Sequence, residues 1–166
     1  MSGPPAPYDS AGPIGSDDRL RYPVEAPIEV RFRDLDPMGH VNNAVYLTYL
    51  EVARAHYWRA LGLTETNAIR TYVLAHATID FRSPLRLGDD LACGVRVESF
   101  GVRSFTMAYR LRTRKGGRLI ATATTVQARF DYEAQETRPV EEESKRLIRE
   151  FEKREIPGRR SGGDGG

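Results

Sequence analysis

Hydrophobic and polar positions alternate in several short stretches of this chain, a period that is typical of β-strands with one buried face. In the first stretch, Ile28, Val30 and Phe32 are separated by charged side chains. A longer stretch, residues 119–130, is rich in Thr, Ala and Val and is typical of a strand that is buried on both faces. The other stretches that alternate are residues 73–81, 91–97 and 105–111. The pattern therefore predicts five strands.

A helical period of hydrophobic positions runs through residues 43–61, which predicts a helix of about five turns. Gly62 follows as a C-terminal stop. Charge in this segment is confined mainly to Glu51, Arg54 and Arg59. We therefore expect the helix to be enclosed on several sides.

The order of these elements predicts the fold class. The connections between the later strands are short and rich in Gly, Pro and Asp, so neighbouring strands are expected to be antiparallel. A parallel sheet would need a helix between each pair of strands, and the pattern shows none between residues 72 and 132. The prediction is an α+β protein in which a curved antiparallel sheet wraps around one central helix, the hotdog fold.

The chain divides into one domain with extensions at both ends. Pro, Gly and Ser dominate the N-terminal residues, which is typical of a disordered leader. Near the C-terminus, an amphipathic helix is expected to pack outside the core. The predicted units are a leader (1–25), a hotdog domain (26–135), a C-terminal amphipathic helix (136–155) and a flexible tail (156–166).

Composition narrows the class of protein. With 166 residues, of which 40% are hydrophobic, the chain can bury one substantial core. Its 25 Lys and Arg exceed its 23 Asp and Glu by only two, so nucleic acid is not an expected partner. The single Cys93 cannot form an internal disulfide, and no apolar run predicts a membrane span or a secretory signal. A cytoplasmic enzyme or binding protein is expected.

Two carboxylates, Asp34 and Asp36, lie between the first strand and the helix, in a segment that we call the acidic turn (residues 34–43). The first amides of a helix have no partner within the helix and carry part of its positive dipole. A carboxylate that faces such amides can form a hydrolytic site. Taken by themselves, the two residues fit equally well as caps of the turn or of the helix.

The acidic turn, with the sequence DLDPMGHVNN, resembles the motif of the 4-hydroxybenzoyl-CoA thioesterase family of hotdog proteins, and more closely that of its acyl-CoA thioesterase branch. The likeness covers roughly residues 27–132. It continues through Tyr46 with YLEVAR (49–54), through DFRSPL (80–85) with Gly88 and Asp89, and through Gly101 and Ser104.

The resemblance implies roles for several residues of the acidic turn. The second Asp of the motif is catalytic in that family, which makes Asp36 the general base or nucleophile here. The backbone N–H of Asn43 is implied to polarise the thioester carbonyl. Asp34 is expected to have a structural role, although the roles of the two Asp residues could be exchanged. His40 is expected to support the turn or line the pocket.

Residues outside the acidic turn have more than one interpretation. Glu51 is an alternative catalytic carboxylate, because some hotdog thioesterases of other lineages place a Glu on this helix, but it could simply pair with Arg54. Arg side chains suit the phosphates of coenzyme A, yet exposed Arg residues on strands are usually the solvated face. The candidates for binding coenzyme A are Arg82, Arg103, Ser104 and Arg114.

The predicted activity is hydrolysis of an acyl-CoA thioester to a carboxylic acid and free coenzyme A. The resemblance implies no cofactor besides this substrate, and the thiol carrier is either coenzyme A or acyl carrier protein. His56 and His76 lack spaced partner ligands, so no metal site is predicted. A homodimer or homotetramer is implied. The alternatives are a non-catalytic acyl-CoA or acyl-carrier sensor and, ranked last, a hotdog hydratase.

Overall fold

The computed structural model describes residues 22–63 and 71–159. Its strands are β1 (Val24–Ile28), β2 (Tyr72–Phe81), β3 (Leu91–Phe100), β4 (Ser104–Thr113), β5 (Leu119–Asp131) and β6 (Glu136–Thr137). Its helices are a short 3-10 helix (Phe32–Asp34), α1 (Val45–Ala60) and α2 (Glu142–Glu152). The helix α1 and the strands β2 to β5 lie where the sequence pattern predicts them.

Within the described residues, the strands form one antiparallel sheet in the order β1-β3-β4-β5-β2, and β6 pairs with the end of β5. Short turns join β3 to β4 and β4 to β5. Gly116 and Gly117 in the second turn have φ angles of 77° and 63°, a conformation that glycine adopts without strain. Because an antiparallel sheet packs on one long helix, the predicted α+β architecture is confirmed.

The helix α1 packs against β1 and β3 through one face. The buried side chains on this face are Tyr46, Tyr49, Leu50, Ala53, Tyr57 and Trp58. Burying a large apolar side chain stabilises a fold by about 1.5–3 kcal/mol. On the opposite face, Leu47 and Val52 are 43% and 38% exposed. The expectation that α1 is enclosed on several sides is therefore wrong for the single subunit, because the sheet covers one side.

The first strand lies earlier in the chain than its alternating pattern predicts. β1 ends at Ile28, and Phe32 begins a 3-10 helix and is 80% exposed. The strand ends because Asp34 closes a turn: its carboxylate Oδ2 accepts the Arg31 N–H at 3.0 Å, and its own N–H donates to the Arg31 carbonyl at 2.9 Å. A local hydrogen-bonded turn replaces the strand there.

The C-terminal segment packs into the core, contrary to the expectation that its helix lies outside. Val140, Ile148 of α2 and Ile156 are each at most 3% exposed and belong to the same hydrophobic cluster as α1 and the sheet. Beyond α2, Phe100 exchanges backbone hydrogen bonds with the chain at Pro157 and Arg159. The first four residues of the predicted tail are therefore part of the fold, and residues 160–166 lie outside the described residues.

The N-terminal boundary also shifts. β1 begins at Val24, inside the predicted leader. Before it, the Tyr22 ring lies against Gly94 on β3, with the guanidinium groups of Arg96 and Arg110 at 5.1 and 4.5 Å from its centroid. Residues 1–21 of the predicted leader lie outside the described residues. In the described parts of the chain, no helix has the length and apolar character needed to cross a membrane.

Candidate active site

Asp34 anchors the acidic turn to α1. It is 2% exposed, and both carboxylate oxygens are occupied. Oδ1 accepts a hydrogen bond from Arg31 Nη2 at 2.9 Å, and Oδ2 accepts from Arg31 Nε at 3.1 Å and from the Tyr49 hydroxyl at 2.8 Å. Its carbonyl oxygen accepts the Asn42 N–H at 2.8 Å. Asp34 thus connects the strand end, the first turns of α1 and the residue before Asn43.

The same contacts hold Asp34 in its charged form. Burial by itself raises the pKa of this carboxyl, but the hydrogen bonds from the Arg31 side chain and backbone and from Tyr49 outweigh burial, so its pKa is lowered from the ordinary value. The pKa of Tyr49 is raised, first by burial and then by its bond to Asp34. A carboxylate with both oxygens engaged is suited to hold the turn in place and not to attack a substrate.

Asp36 lies in a different environment two residues later. It is half-buried, and Oδ1 accepts the backbone N–H groups of Met38 and His40 at 2.9 and 3.1 Å. Gly39, with φ of 77°, closes this turn by donating its N–H to the Asp36 carbonyl at 3.0 Å. Oδ2 of Asp36 accepts no hydrogen bond from the residues that the structure describes. The carboxylate is held by one oxygen and has the other free.

The start of α1 presents a backbone donor at the end of the same turn that carries this carboxylate. The Asn42 side chain accepts the Ala44 N–H at 2.9 Å, and the Asn42 carbonyl accepts the Val45 N–H at 2.9 Å. The N–H of Asn43 has no acceptor among residues 22–63 and 71–159. Asn42 therefore caps the helix start and leaves the Asn43 amide available at its positive end. The sequence analysis missed Asn42, although Asn is a favoured helix cap.

The loop between β2 and β3 lies against the acidic turn. His40 is half-buried, and its Nε2 lies 3.4 Å from Arg86 Nη2, while the Val41 N–H donates to the Leu85 carbonyl at 2.8 Å. Arg82 follows β2 directly in this loop and is exposed. The loop thus places two guanidinium groups at the end of the sheet that carries the acidic turn.

The turn between β4 and β5 lies at the same end of the sheet. Arg114 is half-exposed and pairs with Asp90 at 3.1 Å. Arg118, which the sequence analysis missed, pairs with Asp89 at 2.9 Å and donates to the Pro84 carbonyl at 2.6 Å. Two of the predicted ligands of coenzyme A, Arg82 and Arg114, are thus brought near the acidic turn.

The other two candidates lie at the far end of the sheet. Ser104 begins β4 and Thr113 ends it, so the strand separates them by about 30 Å. Arg103 precedes Ser104, is exposed, and its Nη1 donates to Thr137 Oγ1 at 3.0 Å. Within one subunit, the structure therefore does not bring Arg103 and Ser104 together with the acidic turn.

Glu51 lies on α1, about 12 Å along the helix from Asn43. It is exposed and lines a cavity between α1 and the sheet. The alternative interpretation, a surface pair with Arg54, is not formed, since among the described side chains no Glu51 oxygen lies within 4.0 Å of that guanidinium. Arg54 donates instead to the Tyr109 hydroxyl at 3.4 Å. In the described ranges, no three His, Cys, Asp or Glu side chains form a group suited to a metal.

Comparison with known proteins identifies the family of this chain. A family model described as the thioesterase-like superfamily matches residues 30–148. The chain belongs to the thioesterase-like superfamily. Its sheet and central helix are those of the hotdog fold, as predicted. A similar solved structure is that of a thioesterase from Thermus thermophilus in complex with coenzyme A and Zn. It is 34% identical, with a TM-score of 0.72, and the match covers 81% of this chain and 98% of that one.

Two of the curated relatives are thioesterases by name. The long-chain acyl-CoA thioesterase FadM of Escherichia coli is 26% identical over 135 residues, which cover 78% of this chain and all of FadM. The chloroplastic acyl-acyl carrier protein thioesterase ATL3 of Arabidopsis thaliana is 33% identical over 76 residues, or 44% of this chain. The chain spans 40% of ATL3, and 56% and 45% of two further curated relatives.

Proposed function

We propose that this protein is an acyl-CoA thioesterase, which hydrolyses a thioester to a carboxylic acid and free coenzyme A. Within the superfamily, we assign it to the acyl-CoA thioesterase branch of the 4-hydroxybenzoyl-CoA thioesterase family. One observation carries the proposal. The acidic turn holds a carboxylate with a free oxygen, Asp36 Oδ2, in the same turn as an N–H without an acceptor among the described residues, that of Asn43.

These two groups supply what thioester hydrolysis needs. The Asn43 N–H, at the positive end of α1, would donate to the carbonyl oxygen as it gains negative charge, and one such donor lowers a barrier by about 3–4 kcal/mol. Asp36 would either take a proton from the attacking water or attack the carbonyl carbon itself, giving an anhydride that water then opens. In both routes the C–S bond breaks and coenzyme A leaves as the thiolate.

The free edge of the sheet supports a homodimer or homotetramer. β2 pairs with β5 on one side, and in the described residues no strand covers its other edge. Leu74 and Phe81 on this strand are 45% and 46% exposed. An uncovered edge of ten residues is a template for another strand, and a second copy would also cover the outer face of α1. We therefore place the active site at an interface between two subunits.

The basic side chains near the acidic turn support binding of the phosphates of coenzyme A. Arg82 and Arg86 lie on the loop after β2, and Arg114 and Arg118 at the turn between β4 and β5. Guanidinium groups bind phosphate oxygens through paired hydrogen bonds. Arg103 and Ser104 would reach the same ligand only from another subunit.

The decisive experiment replaces Asp36 by Asn and measures hydrolysis across a panel of acyl-CoA and acyl-acyl carrier protein substrates. Loss of a positioned general base or nucleophile is expected to lower kcat by about 10²–10⁴ with a small change in KM. Asp131→Asn is a matched control, because Asp131 Oδ1 also accepts two turn amides, from Glu133 and Ala134, each at 3.0 Å. This variant is expected to keep full activity.

Two results would contradict the proposal. Full turnover by the Asp36→Asn variant would remove this carboxylate from the mechanism and leave Glu51 as the candidate. Tight binding of acyl-CoA without turnover by the unmodified protein would instead identify a sensor. Single-turnover hydrolysis in ¹⁸O-labelled water tests the route: an acid product without ¹⁸O identifies direct attack, because water has then opened the anhydride at the Asp36 carbon and an oxygen of Asp36 remains in the product.

A further inference from the structure

A cavity of about 410 Å³ opens between α1 and the sheet, on the side of β2. Its walls are partly aromatic and apolar, but charged and amide groups line it as well. Leu74 on β2 and Gln127 on β5 are paired neighbours in the register of the sheet. The residues that matter here are Glu51, Arg54, Trp58, Tyr72, Leu74 and Gln127.

A chain of hydrogen bonds in the core fixes the polar groups of this cavity. Arg54 Nη1 donates to the Tyr109 hydroxyl at 3.4 Å, which lies 2.9 Å from Thr125 Oγ1. Gln127 Nε2 donates to the same Thr125 oxygen at 3.0 Å. Tyr109, Thr125 and Gln127 are each at most 4% exposed. One nitrogen of the guanidinium therefore contacts a buried, hydrogen-bonded part of the sheet.

Arg54 has far more hydrogen-bonding capacity than its surroundings use. A guanidinium has five N–H donors, and in the described part of the chain no carboxylate lies within 4.0 Å of this one. Arg59 lines the same cavity, so two guanidinium groups face one carboxylate, Glu51. A half-buried cation without a close counter-charge attracts an anionic group, and guanidinium matches a carboxylate through two parallel hydrogen bonds.

We propose that this cavity binds the far end of the acyl group and that Arg54 makes the enzyme prefer acyl groups that end in a carboxylate over plain alkyl groups of the same length. The inference rests on the proposed thioesterase function. Arg54 lies about 16 Å along α1 from the Asn43 amide, so an extended acyl chain can reach from one to the other. Trp58 lies beyond Arg54, about 22 Å along α1 from that amide, so Trp58, Tyr72 and Leu74 form the far wall of the cavity.

The test compares kcat/KM for length-matched pairs, namely suberyl with octanoyl-CoA, sebacyl with decanoyl-CoA and dodecanedioyl with dodecanoyl-CoA. At the best length, the carboxylated substrate is expected to be favoured about tenfold or more, as for one charge-assisted hydrogen bond. Arg54→Met keeps the apolar stem and should abolish this preference. Arg54→Lys should keep part of it. Arg146→Met, which removes an exposed guanidinium from α2, should leave it unchanged.

Equal or lower activity on the carboxylated substrates, or the same preference in Arg54→Met, would overturn the inference. A stronger preference for ω-hydroxyacyl groups would also overturn it, because a neutral hydroxyl would then be the group selected. Thermal melting checks that the Met variant folds. Tyr109 keeps its contact with Thr125 in that variant, and Arg54→Lys decides the question if the Met variant does not fold.

Binding without turnover separates this inference from the proposed function. S-octyl-CoA and its ω-carboxy analogue are thioethers that cannot be hydrolysed. Trp58 is the single Trp of the chain and lines the cavity, so its fluorescence reports on ligand bound there. Tighter binding of the carboxylated thioether, lost in Arg54→Met, supports the inference even if no thioester is hydrolysed. Equal binding of the two thioethers overturns it even if hydrolysis is found.

Discussion

The two ends of α1 are held by the same arrangement of groups. At the N-terminal end, the Tyr49 hydroxyl donates to Asp34, which also accepts the Arg31 backbone N–H and guanidinium. At the C-terminal end, the Tyr57 hydroxyl donates at 2.7 Å to Glu152 of α2. That carboxylate also accepts the backbone N–H of Val97 at 2.6 Å and Nε of Arg154 at 2.8 Å. Each carboxylate is buried, and each ties α1 to another part of the chain.

We call Asp34 and Glu152, each with the groups that donate to it, the two clamps of α1. The two clamps differ in their surroundings. Beside Asp34, the structure leaves Asp36 Oδ2 and the Asn43 N–H without partners among its described residues. Beside Glu152, Ile148 and Ile156 are buried in the core, and Tyr57 packs edge-on against Phe151. The Glu152 clamp thus joins α1 to the hydrophobic residues of the C-terminal segment, whereas the Asp34 clamp positions the candidate active site. Similar variants at the two clamps are expected to cost similar stability but to affect activity differently.

The largest expected effect comes from neutralising each clamp. Asp34→Asn and Glu152→Gln each remove the charge from several hydrogen bonds and are expected to lower the free energy of unfolding by about 2–3 kcal/mol. In addition, Asp34→Asn is expected to lower kcat about tenfold with little change in KM, because the Asn43 amide loses its fixed position. Urea unfolding and steady-state kinetics on both variants measure the two effects.

Equal loss of kcat in both variants would contradict the comparison, because activity would then follow stability and not the position of the clamp. Unchanged kcat in Asp34→Asn would show that the acidic turn keeps its shape without this charge.

A smaller effect is expected from the two tyrosines. Tyr49→Phe and Tyr57→Phe each remove one hydroxyl that donates to a buried carboxylate, and each should cost about 1–2 kcal/mol of stability. Measured by thermal melting, the two losses should be similar. Only Tyr49→Phe should also reduce kcat, by about two- to fivefold, because α1 is then less firmly held to the acidic turn. A loss of activity confined to Tyr57→Phe would reverse the assignment.

The smallest effect concerns the pH dependence of stability. The pKa of Asp34 is lowered by its partners, so its contribution is complete above the unfolded-state pKa of about 4 and is lost as pH falls through the folded-state pKa. The difference in urea midpoint between the unmodified protein and Asp34→Asn should therefore be constant near neutral pH and shrink below about pH 4. A difference that persists in strong acid would show that the amide disturbs packing.

Local patterns in the sequence predict most of the fold. β4 shows a period of two in its burial, as its sequence predicts, and α1 shows a helical period, because each buries one face of a regular element. β1 is the exception, because the alternation that ends at Phe32 includes a turn closed by Asp34. The periodicity of hydrophobic residues does not reveal a side-chain hydrogen bond of this kind.

The candidate site is only partly predictable for a related reason. Asp36 and Asn43 lie in one short motif, so their proximity follows from the chain itself. The clamp between Tyr57 and Glu152 joins residues 95 positions apart, and no local pattern specifies it. The separation of Arg103 from Arg114 follows from the length of β4, but its separation from Arg82 depends on the registers of β4 with β5 and of β5 with β2, which no local pattern encodes. Contacts that depend on register or on distant segments need coordinates.

The Tyr22 ring limits the size of the residue at position 94 of β3. A Cβ atom built on Gly94 would lie 2.9 Å from Cγ of the Tyr22 ring, closer than such atoms approach in folded proteins. Even a single methyl group at position 94 would therefore push this ring away from β3, together with its contacts to Arg96 and Arg110. A larger residue at position 94 therefore requires that the Tyr22 ring move or be replaced by a smaller side chain.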